Sequence, residues 1–379
     1  MKVALIEPVG GHGGMNYYDF GLASGLVSQG GDVCWFTCEK TDECSINGIE
    51  IIKNFRGVYG ASNKVIRFTR FVYALFNSLV RCKIRKIKVV HYHFFGIGVL
   101  DFLMCYIAKV MSFKICVTMH DVESFNNGNS MFFARKLFPL VDQFIVHNQV
   151  SARELEQAAL HSRIEIKCSV IPHGNYCGVV KKLPKEYSKS VLCLPEGVFT
   201  ILFFGQIKSV KGLDVLLRAL RIQCKEREDV HLVIAGKLWK EDFSSYQKII
   251  DDGNLGDRLT LHMHYIADSD VDIYYSAADC VVLPYRKIYQ SGVLLMAMSY
   301  GVPVIVSDLD GMLEVVTHQK TGLVFDEGNE CDLAEKINEL MSNVVLKRDV
   351  ASGGLKLMQE KYDWKEIGAK TMEVYGAMI

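Results

Sequence analysis

Residues 283–316, LPYRKIYQSGVLLMAMSYGVPVIVSDLDGMLEVV, decide the fold class of this chain. Short apolar runs alternate with loops here and predict a strand, a helix over Val293–Tyr300, a strand over Val302–Val306 and a further helix. Strand, helix, strand repetition indicates βαβ units, and such units form a parallel sheet with helices on both faces.

The start of the helix in this stretch is a candidate anion site. Ser291 and Gly292 stand where the helix begins, so the amide groups of Gly292, Val293 and Leu294 are expected to be unpaired and to point outward. A diphosphate could occupy that position, because backbone N–H groups and the helix dipole both favour negative charge.

The same alternation continues in two series. The first predicted strands are Val3–Ile6, Val33–Thr37, Val89–His93, Ile115–Met119, Phe144–His147 and Cys168–Ile171. The later ones are Thr200–Phe204, His231–Ala235, Leu259–Met263, Cys280–Leu283 and Val302–Val306. Periodicity fades between Ile171 and Phe199, where three prolines fall. We therefore expect an α/β protein of two doubly wound Rossmann-like domains facing across a cleft, residues 1–185 and 186–360, with a helix in 361–379 that packs back on the first.

Composition excludes several classes of protein. The formal net charge of the 379 residues is zero, which gives the whole molecule no nucleic-acid signature. The twelve cysteines stand singly without a CxxC pair, so we expect free thiols in a reducing compartment and no metal site. The opening MKVALIEPVGG has too short an apolar run for a signal peptide, and no stretch reaches the roughly 20 apolar residues of a spanning helix. A cytoplasmic location is expected.

One segment carries a strong charge bias. Ten basic residues and no acidic residue lie between Ile51 and Leu100. Within Lys64–Lys88 the basic residues alternate with aromatic and aliphatic ones, which is typical of a helix that binds an anionic membrane surface. The alternative is a solvated face above an ordinary core contact. The membrane hypothesis makes the protein peripheral at the inner face of the membrane.

Two glycine-rich turns follow predicted strands. Gly10–Gly14 could bring backbone N–H groups to a phosphate, but the spacing does not match GxGxxG, and a tight turn without a ligand is the alternative. The second turn lies in FFGQIKSVKGLDVLLRAL, residues 203–220, where Lys208 and Lys211 follow Gly205. Two ammonium groups beside the carboxyl end of a strand suit an anionic ligand, and two solvated loop lysines are the alternative.

These stretches carry a family resemblance. FGQIKSVKGLDVLLRAL, LVIAGK, YYSAADCVVLPY, SGVLLMAMSYGVPVIVSDLDGMLEVV (residues 291–316) and TGLVF occur in this order and resemble a family 4 glycosyltransferase of the GT-B fold. The N-terminal half is similar more loosely, through GGHGGMNYYDFGLASGLVSQGGDVCWFT, VVHYHFF, VTMHD and VIPHGN. The resemblance covers nearly the whole chain.

The resemblance implies a reaction. Such enzymes bind a nucleotide-diphosphate sugar mainly on the C-terminal domain and transfer the sugar to an acceptor held by the N-terminal domain. Transfer proceeds with net retention at the anomeric carbon, usually without a metal or another cofactor. A saccharide or a lipid-linked molecule is the expected acceptor, in glycan or glycolipid biosynthesis.

The resemblance also assigns site residues. It implies catalytic roles for His120, which matches the histidine that faces the donor sugar, and for Lys211, which matches the lysine on the diphosphate. The residues expected at the diphosphate are Gly13, Gly14, Gly205, Gln206, Lys208, Lys211, Ser291, Gly292, Val293 and Leu294. Those expected at the donor sugar or nucleoside are Gly236, Lys237, Gln290 and Glu314. Those expected at the acceptor are His12 and Asp121.

The chain departs from the family pattern at three positions. The two glutamates of the family's Glu-x7-Glu motif read Ile288 and Met296, and a methionine cannot accept hydrogen bonds from ribose hydroxyls. The diphosphate arginine that follows the FG pair reads Gln206, so Lys208 is the candidate replacement, as a point charge. Gln290 and Ser291 could replace the first carboxylate as neutral hydrogen-bond partners.

Several alternatives stay open. His120 could be a core histidine at a strand end, and Asp121 could cap the following segment. Trp239 could contact a nucleobase or simply pack. For the whole protein, a non-catalytic GT-B binding subunit and a nucleotide-sugar epimerase are the alternatives. An epimerase would call for acid–base carboxylates in the cleft, which the sequence does not place.

Overall fold

The computed structural model describes residues 1–11, 14–42, 46–60, 63–122, 128–225, 227–240 and 242–379. It contains two compact units: Met1–Gly174 together with Tyr362–Ile379, and Asn175–Lys361.

The chain enters the second unit earlier than the position 185/186 expected from the sequence. Asn175 donates from Nδ2 to the Met358 carbonyl at 2.8 Å, and the Leu183 amide donates to Ser276 Oγ at 3.0 Å. The segment between them is therefore tied to the second unit by hydrogen bonds, which a prediction from apolar periodicity does not register.

Within the described residues, the first unit is built on a parallel sheet of seven strands. They are β1 (Lys2–Glu7), β2 (Asp32–Cys38), β3 (Ile49–Phe55), β4 (Val89–Phe94), β5 (Lys114–Met119), β6 (Gln143–Val146) and β7 (Cys168–Val170). The order is β3-β2-β1-β4-β5-β6-β7. Strand β3 was not predicted from the sequence, because Glu50, Lys53 and Asn54 interrupt its apolar pattern.

The described part of the second unit has a parallel sheet of six strands. They are β8 (Phe199–Phe204), β9 (Val230–Ala235), β10 (Leu259–His262), β11 (Cys280–Leu283), β12 (Val304–Ser307) and β13 (Leu323–Phe325). The order is β10-β9-β8-β11-β12-β13. The predicted fold class, two doubly wound parallel α/β sheets, is confirmed.

Helices cover the faces of both sheets, as burial of the near-continuous apolar strands requires. In the described residues they are α1 (Gly14–Ser28), α2 (Lys64–Ile84), α3 (Val99–Val110), α4 (Gly128–Leu137), α5 (Gln149–His161), α6 (Lys185–Val191), α7 (Leu213–Gln223), α8 (Ser244–Asp252), α9 (Val271–Ala277), α10 (Gly292–Ser299), α11 (Asp310–Leu313), α12 (Glu330–Ser342), α13 (Val344–Glu360) and α14 (Trp364–Met378). None of the helices within the described residues is long and apolar enough to cross a membrane.

Helix α13 begins ten residues before the predicted start at Gly354. Asn343 caps it by accepting a hydrogen bond from the Leu346 amide, so the helix can begin well before the glycines. Gly353 and Gly354 then lie inside it. A Cβ at Gly353 would come within 2.1 Å of the Lys320 carbonyl oxygen, so the glycine permits a close backbone contact rather than marking a helix start.

The last helix belongs to the first unit and crosses α1 at glycines. A Cβ added to Gly25 would lie 2.1 Å from the carbonyl oxygen of Trp364, and one added to Gly368 would lie 2.2 Å from the carbonyl carbon of Gly25. Cβ atoms added to Gly21 and Gly174 would lie 2.1 and 2.3 Å from the Trp364 ring, so this ring lies directly over both glycines. The two helices therefore approach as closely as their backbones allow.

This contact predicts an effect of a single methyl group. Gly25→Ala should lower the free energy of unfolding of the first unit by about 1–3 kcal/mol, because a Cβ there must push α14 away. Thermal unfolding followed by circular dichroism measures the change. Gly376→Ala is the matched control in α14, since nothing lies within 4 Å of its Cβ position, and it should be neutral or slightly stabilising. An unchanged Tm in Gly25→Ala would contradict the described contact.

Candidate functional site

Each sheet has one place where its strand order changes direction, between β1 and β4 in the first unit and between β8 and β11 in the second. Open α/β sheets bind ligands at the carboxyl ends of the strands at such switch points.

Glycines hold the loops of the second unit together at this edge. Gly205 follows β8 with φ +103, and a Cβ added to Gly236, which follows β9, would lie 1.8 Å from the Gly205 carbonyl oxygen. A Cβ on Gly212, with φ +65, would lie 1.8 Å from the carbonyl oxygen of Pro284, which follows β11. The loops after three strands thus meet through backbone contacts that only glycine allows.

The start of α10 lies beside these loops. The Val293 side chain is 3.4 Å from the Cβ position of Gly205, which joins two of the predicted diphosphate-binding segments. Ser291 caps the helix, and its Oγ accepts a hydrogen bond of 3.2 Å from the Leu294 amide. The expectation that the Leu294 amide is unpaired is therefore wrong, because the cap engages it. Gly292 and Val293 remain the first-turn positions for an anion.

The two predicted lysines lie against different aromatic rings. The Lys211 ammonium is 3.6 Å from the centroid of the Tyr285 ring, and Tyr285 follows β11. The Lys208 ammonium is 5.2 Å from the Trp239 ring, which Lys240 also approaches at 5.4 Å. Both contacts are cation–π interactions, which orient an ammonium group without neutralising it.

Sequence reasoning missed a clamp that fixes the lysine loop. Arg286 makes two hydrogen bonds of 2.7 Å to the carboxylate of Asp214 and a third, of 2.8 Å, to the Ser209 carbonyl. Burial would raise the pKa of Asp214, but hydrogen bonds from Arg286 and Arg218 outweigh burial and lower it. Arg286 lies three residues after the end of β11, in LPYR, and that position was the available signal.

The other residues predicted at the donor lie on the same unit. Gln206 and Lys237 are exposed, and Gln290 and Glu314 are half-buried. A Cβ on Gly311 would lie 2.6 Å from the Tyr289 carbonyl oxygen, so α11, which precedes Glu314, packs directly on the loop that contains Gln290.

Four residues of the first unit were predicted at the phosphates or the acceptor besides His120: His12, Gly13, Gly14 and Asp121. His12 and Gly13 lie outside the described residues. Gly14 begins α1 and is exposed. Asp121 is half-buried, and the segment it could cap begins in residues that the structure does not describe.

His120 lies at the carboxyl edge of the first sheet, with both ring nitrogens engaged by other histidines. Its Nε2 is 3.1 Å from His93 Nδ1, and its Nδ1 is 3.3 Å from His147 Nε2. The edge of the Tyr18 ring faces it at 4.7 Å between centroids. His120 thus stands at a strand end, as predicted, and belongs to a network of side-chain contacts. Its role at a ligand stays a prediction.

Five histidines form this network: His91, His93, His120, His147 and His173. Burial lowers the pKa of His91 and His147 to about 3 and that of His173 to about 4, and it lowers those of His93 and His120 well below the usual value. Burial therefore favours the uncharged form of all five rings. Sequence reasoning did not single out His147, although it ends a predicted strand as His93 does.

A pair of buried carboxyl groups was also missed. Glu7, the last residue of β1, accepts a hydrogen bond of 2.9 Å from the Val9 amide, and its Oε2 has no partner among the described residues. Neither carboxyl oxygen of Asp19, on α1, has one. Burial raises the pKa of Glu7 to about 8, with a contribution from Asp101, and burial together with Glu7 raises that of Asp19. No sequence pattern marked either residue.

Among the residues that the structure describes, no group of three or more His, Cys, Asp or Glu side chains is arranged to hold a metal ion.

Comparison with known proteins divides the chain as the two sheets do. Residues 12–174 match Glycosyltransferase Family 4, and residues 185–355 match Glycosyl transferases group 1. The D-inositol 3-phosphate glycosyltransferase of Paenarthrobacter aurescens is 28% identical over 212 residues, 55% of this chain and 51% of that protein. The capsular polysaccharide biosynthesis glycosyltransferase CapM of Staphylococcus aureus is 26% identical over 226 residues, 57% of each. The chain thus spans about half the length of these curated relatives.

A solved structure shares the fold over its full length. Anabaena HepE in complex with UDP superposes with a TM-score of 0.74 at 16% identity, covering 100% of both chains.

The raised pKa of Glu7 predicts a pH-dependent stability. A carboxyl group that keeps its proton up to about pH 8 when folded, against 4.5 normally, contributes stability that is fully present below pH 4.5 and is lost as the pH rises through 8. Glu7→Gln cannot ionise and should be several degrees more stable than the unmodified protein at pH 9. At pH 5 the difference should shrink. Differential scanning calorimetry across this range measures it.

The control for this change is Glu186→Gln, because Glu186 is an exposed carboxylate on α6. It should follow the pH profile of the unmodified protein. Parallel profiles for Glu7→Gln and the unmodified protein would show that Glu7 is not buried in its neutral form.

Proposed function

The chain belongs to the family 4 glycosyltransferases of group 1, and we propose that it transfers a sugar, with retention, from a nucleotide-diphosphate sugar to an acceptor hydroxyl. The observation that carries the proposal lies at the switch point of the second sheet, where the Gly205 turn contacts the start of α10 and Lys211 lies over Tyr285, just after the neighbouring strand β11.

The chemistry follows from where charge develops. The leaving nucleotide diphosphate gains negative charge as the glycosidic bond breaks. Fixed positive groups aimed at that charge lower the barrier, and such preorganised electrostatics is usually the largest catalytic effect. Lys211, held over Tyr285, and the free amides at Gly292 and Val293 suit this role. The Arg286–Asp214 clamp keeps the loop that carries Lys211 in place.

We propose different partners for the two units. The second unit takes the donor, and UDP is the first nucleotide to test, since HepE was solved with it. Met296 leaves the ribose without a carboxylate, and we propose the polar side chains of Gln290 and Glu314 as contacts for donor hydroxyls. The first unit takes the acceptor, and CapM and the inositol phosphate enzyme motivate saccharides and phosphorylated polyols as candidates.

A second candidate function is a non-catalytic binding subunit. Gln206 and Met296 favour it, because both replace charged residues of the family pattern with uncharged ones. Such a protein would bind a nucleotide diphosphate but transfer no sugar to any acceptor, water included. No observation among the described residues of the second unit favours the epimerase alternative.

We also propose a membrane partner for α2. The helix buries one face, including Phe71, Leu75 and Leu79, and turns large apolar side chains outward. The exposed ones are Val65, Ile66, Phe68, Tyr73, Phe76 and Ile84. Lys64, Arg67, Arg70, Arg81 and Lys83 lie among them, with no acidic residue in the helix. Basic and apolar groups on one exposed surface complement an anionic lipid surface. Arg85 is not counted among the basic groups of this surface, because it forms an ion pair with Glu50.

The donor site predicts a specific loss in Lys211→Ala. Removal of one charge aimed at the leaving group should reduce sugar transfer at least about 100-fold. UDP at 100 times its Kd should stabilise the unmodified protein by about 2.7 kcal/mol and the variant by less. Transfer assays with radiolabelled UDP-sugars and thermal-shift measurements check the two effects.

Lys248→Ala is the control for this charge, since Lys248 is exposed on α8. It should leave both readouts unchanged. A thermal shift with nucleotide but no transfer or donor hydrolysis by the unmodified protein would favour the binding subunit. No thermal shift with any nucleotide diphosphate would count against both the transferase and the binding-subunit proposals.

The membrane proposal predicts charge-dependent binding to vesicles. Lys64→Glu with Lys83→Glu should weaken co-sedimentation with phosphatidylglycerol-rich vesicles at least about tenfold, because each lysine near an anionic surface contributes about 1 kcal/mol. Tyr73→Ser with Phe76→Ser should weaken it as well. Tyr187→Ser with Lys248→Glu, exposed on α6 and α8, is the matched control. Equal binding to phosphatidylglycerol-rich and pure phosphatidylcholine vesicles would refute the proposal.

A further inference from the structure

Three hydrogen bonds form a chain through His147, His120 and His93 at the carboxyl edge of the first sheet. Two of them join histidines, and the third joins His147 to a backbone carbonyl. His147 Nδ1 is 2.9 Å from the carbonyl oxygen of Ile171. His147 Nε2 is 3.3 Å from His120 Nδ1, and His120 Nε2 is 3.1 Å from His93 Nδ1. Each ring is therefore linked through both nitrogens, except the last.

One end of this chain fixes the direction of every bond in it. A carbonyl oxygen only accepts, so His147 Nδ1 carries the hydrogen and donates it to Ile171. A neutral imidazole has one N–H, so His147 Nε2 is an acceptor and His120 Nδ1 must donate to it. The same rule makes His120 Nε2 an acceptor and His93 Nδ1 the donor. All three rings are then Nδ1–H tautomers.

The chain leaves a lone pair at His93 Nε2. This atom has no hydrogen-bond partner among the residues that the structure describes, and His93 is only 6% exposed. A buried polar atom without a partner costs free energy, and this nitrogen can only accept. Its natural complement is an O–H or N–H group that a ligand brings.

An exposed ring lies next to the chain. Phe95 directly follows β4 and is 56% exposed, and its ring stacks on His120 at 4.8 Å with 16° between the planes. His120 supports one face of Phe95 and leaves other parts of the ring to solvent. An apolar platform beside a hydrogen-bond acceptor suits a sugar, which has apolar C–H faces and hydroxyl groups at its rim.

We propose that His93 Nε2 and Phe95 form a carbohydrate subsite of the first unit, in which His93 accepts a hydrogen bond from a sugar hydroxyl and Phe95 contacts the sugar ring. His120 and His147 are positioning residues, because they set the tautomer that makes His93 an acceptor. The inference rests on the proposed function only in taking this sugar to be the acceptor.

The tautomers can be measured without any ligand. Long-range 1H–15N correlation spectra distinguish pyrrole-type from pyridine-type ring nitrogens, and single His→Gln variants assign the signals. His93, His120 and His147 should each show a protonated Nδ1 and a pyridine-type Nε2 at pH 7.5. In His147→Phe, which removes both nitrogens, the tautomers of His120 and His93 should become mixed. An Nε2–H tautomer at any of the three in the unmodified protein would overturn the proposed direction.

The sugar contact is tested with methyl α-D-glucopyranoside, methyl α-D-mannopyranoside and N-acetyl-D-glucosamine. At least one of them should shift the His93 Nε2 signal, and Phe95→Ala should weaken that binding about fivefold or more. Tyr187→Ala, an equally exposed aromatic residue on α6, should leave it unchanged. Sugar binding without a shift at His93, or no binding of any of the three, would overturn the subsite. Neither result would affect nucleotide binding, so failure of the proposed transferase activity would be seen separately.

Discussion

Close backbone contacts at glycine are the constraint on which both units depend. In the second unit, Gly205 with Gly236 and Gly212 with Pro284 join the loops after three strands at the edge where a ligand would bind. In the first, Gly25 with Gly368 seats the last helix on α1. A side chain at Gly236, Gly212, Gly25 or Gly368 would separate elements that are far apart in sequence. The positions of Lys211, Val293 and Trp364 all follow from contacts of this kind.

The two candidate edges differ in their electrostatics. The edge of the second unit carries lysines held over aromatic rings and an arginine clamped by Asp214, so its charges are fixed in place. The edge of the first unit holds histidines and carboxyl groups that burial keeps neutral. Such a contrast suits a reaction in which one partner is an anion whose charge grows and the other is an uncharged polyol.

Much of the fold could be predicted from the sequence, because apolar periodicity reports burial directly. The strands around Val3, Val89 and Thr200 are examples, whereas β3 was hidden by its polar residues. The site was less predictable. The helix start at Gly292 follows from local sequence, but the cap on Leu294 depends on the Ser291 side-chain conformation. The Arg286–Asp214 clamp and the histidine chain join residues distant in sequence, and no local pattern encodes such partners.

The discontinuity of the first unit has a consequence for how the protein is made. Its sheet is finished by residue 170, but Trp364 and the helix that covers Gly21, Gly25 and Gly174 are synthesised only after the whole second unit. During translation, the second unit can close while the first still exposes the apolar groove that α14 will fill. The first unit of a nascent chain therefore stays incomplete until α14 emerges from the ribosome. A stop codon before residue 364 would remove α14 and so destabilise the first unit, which is synthesised before the second.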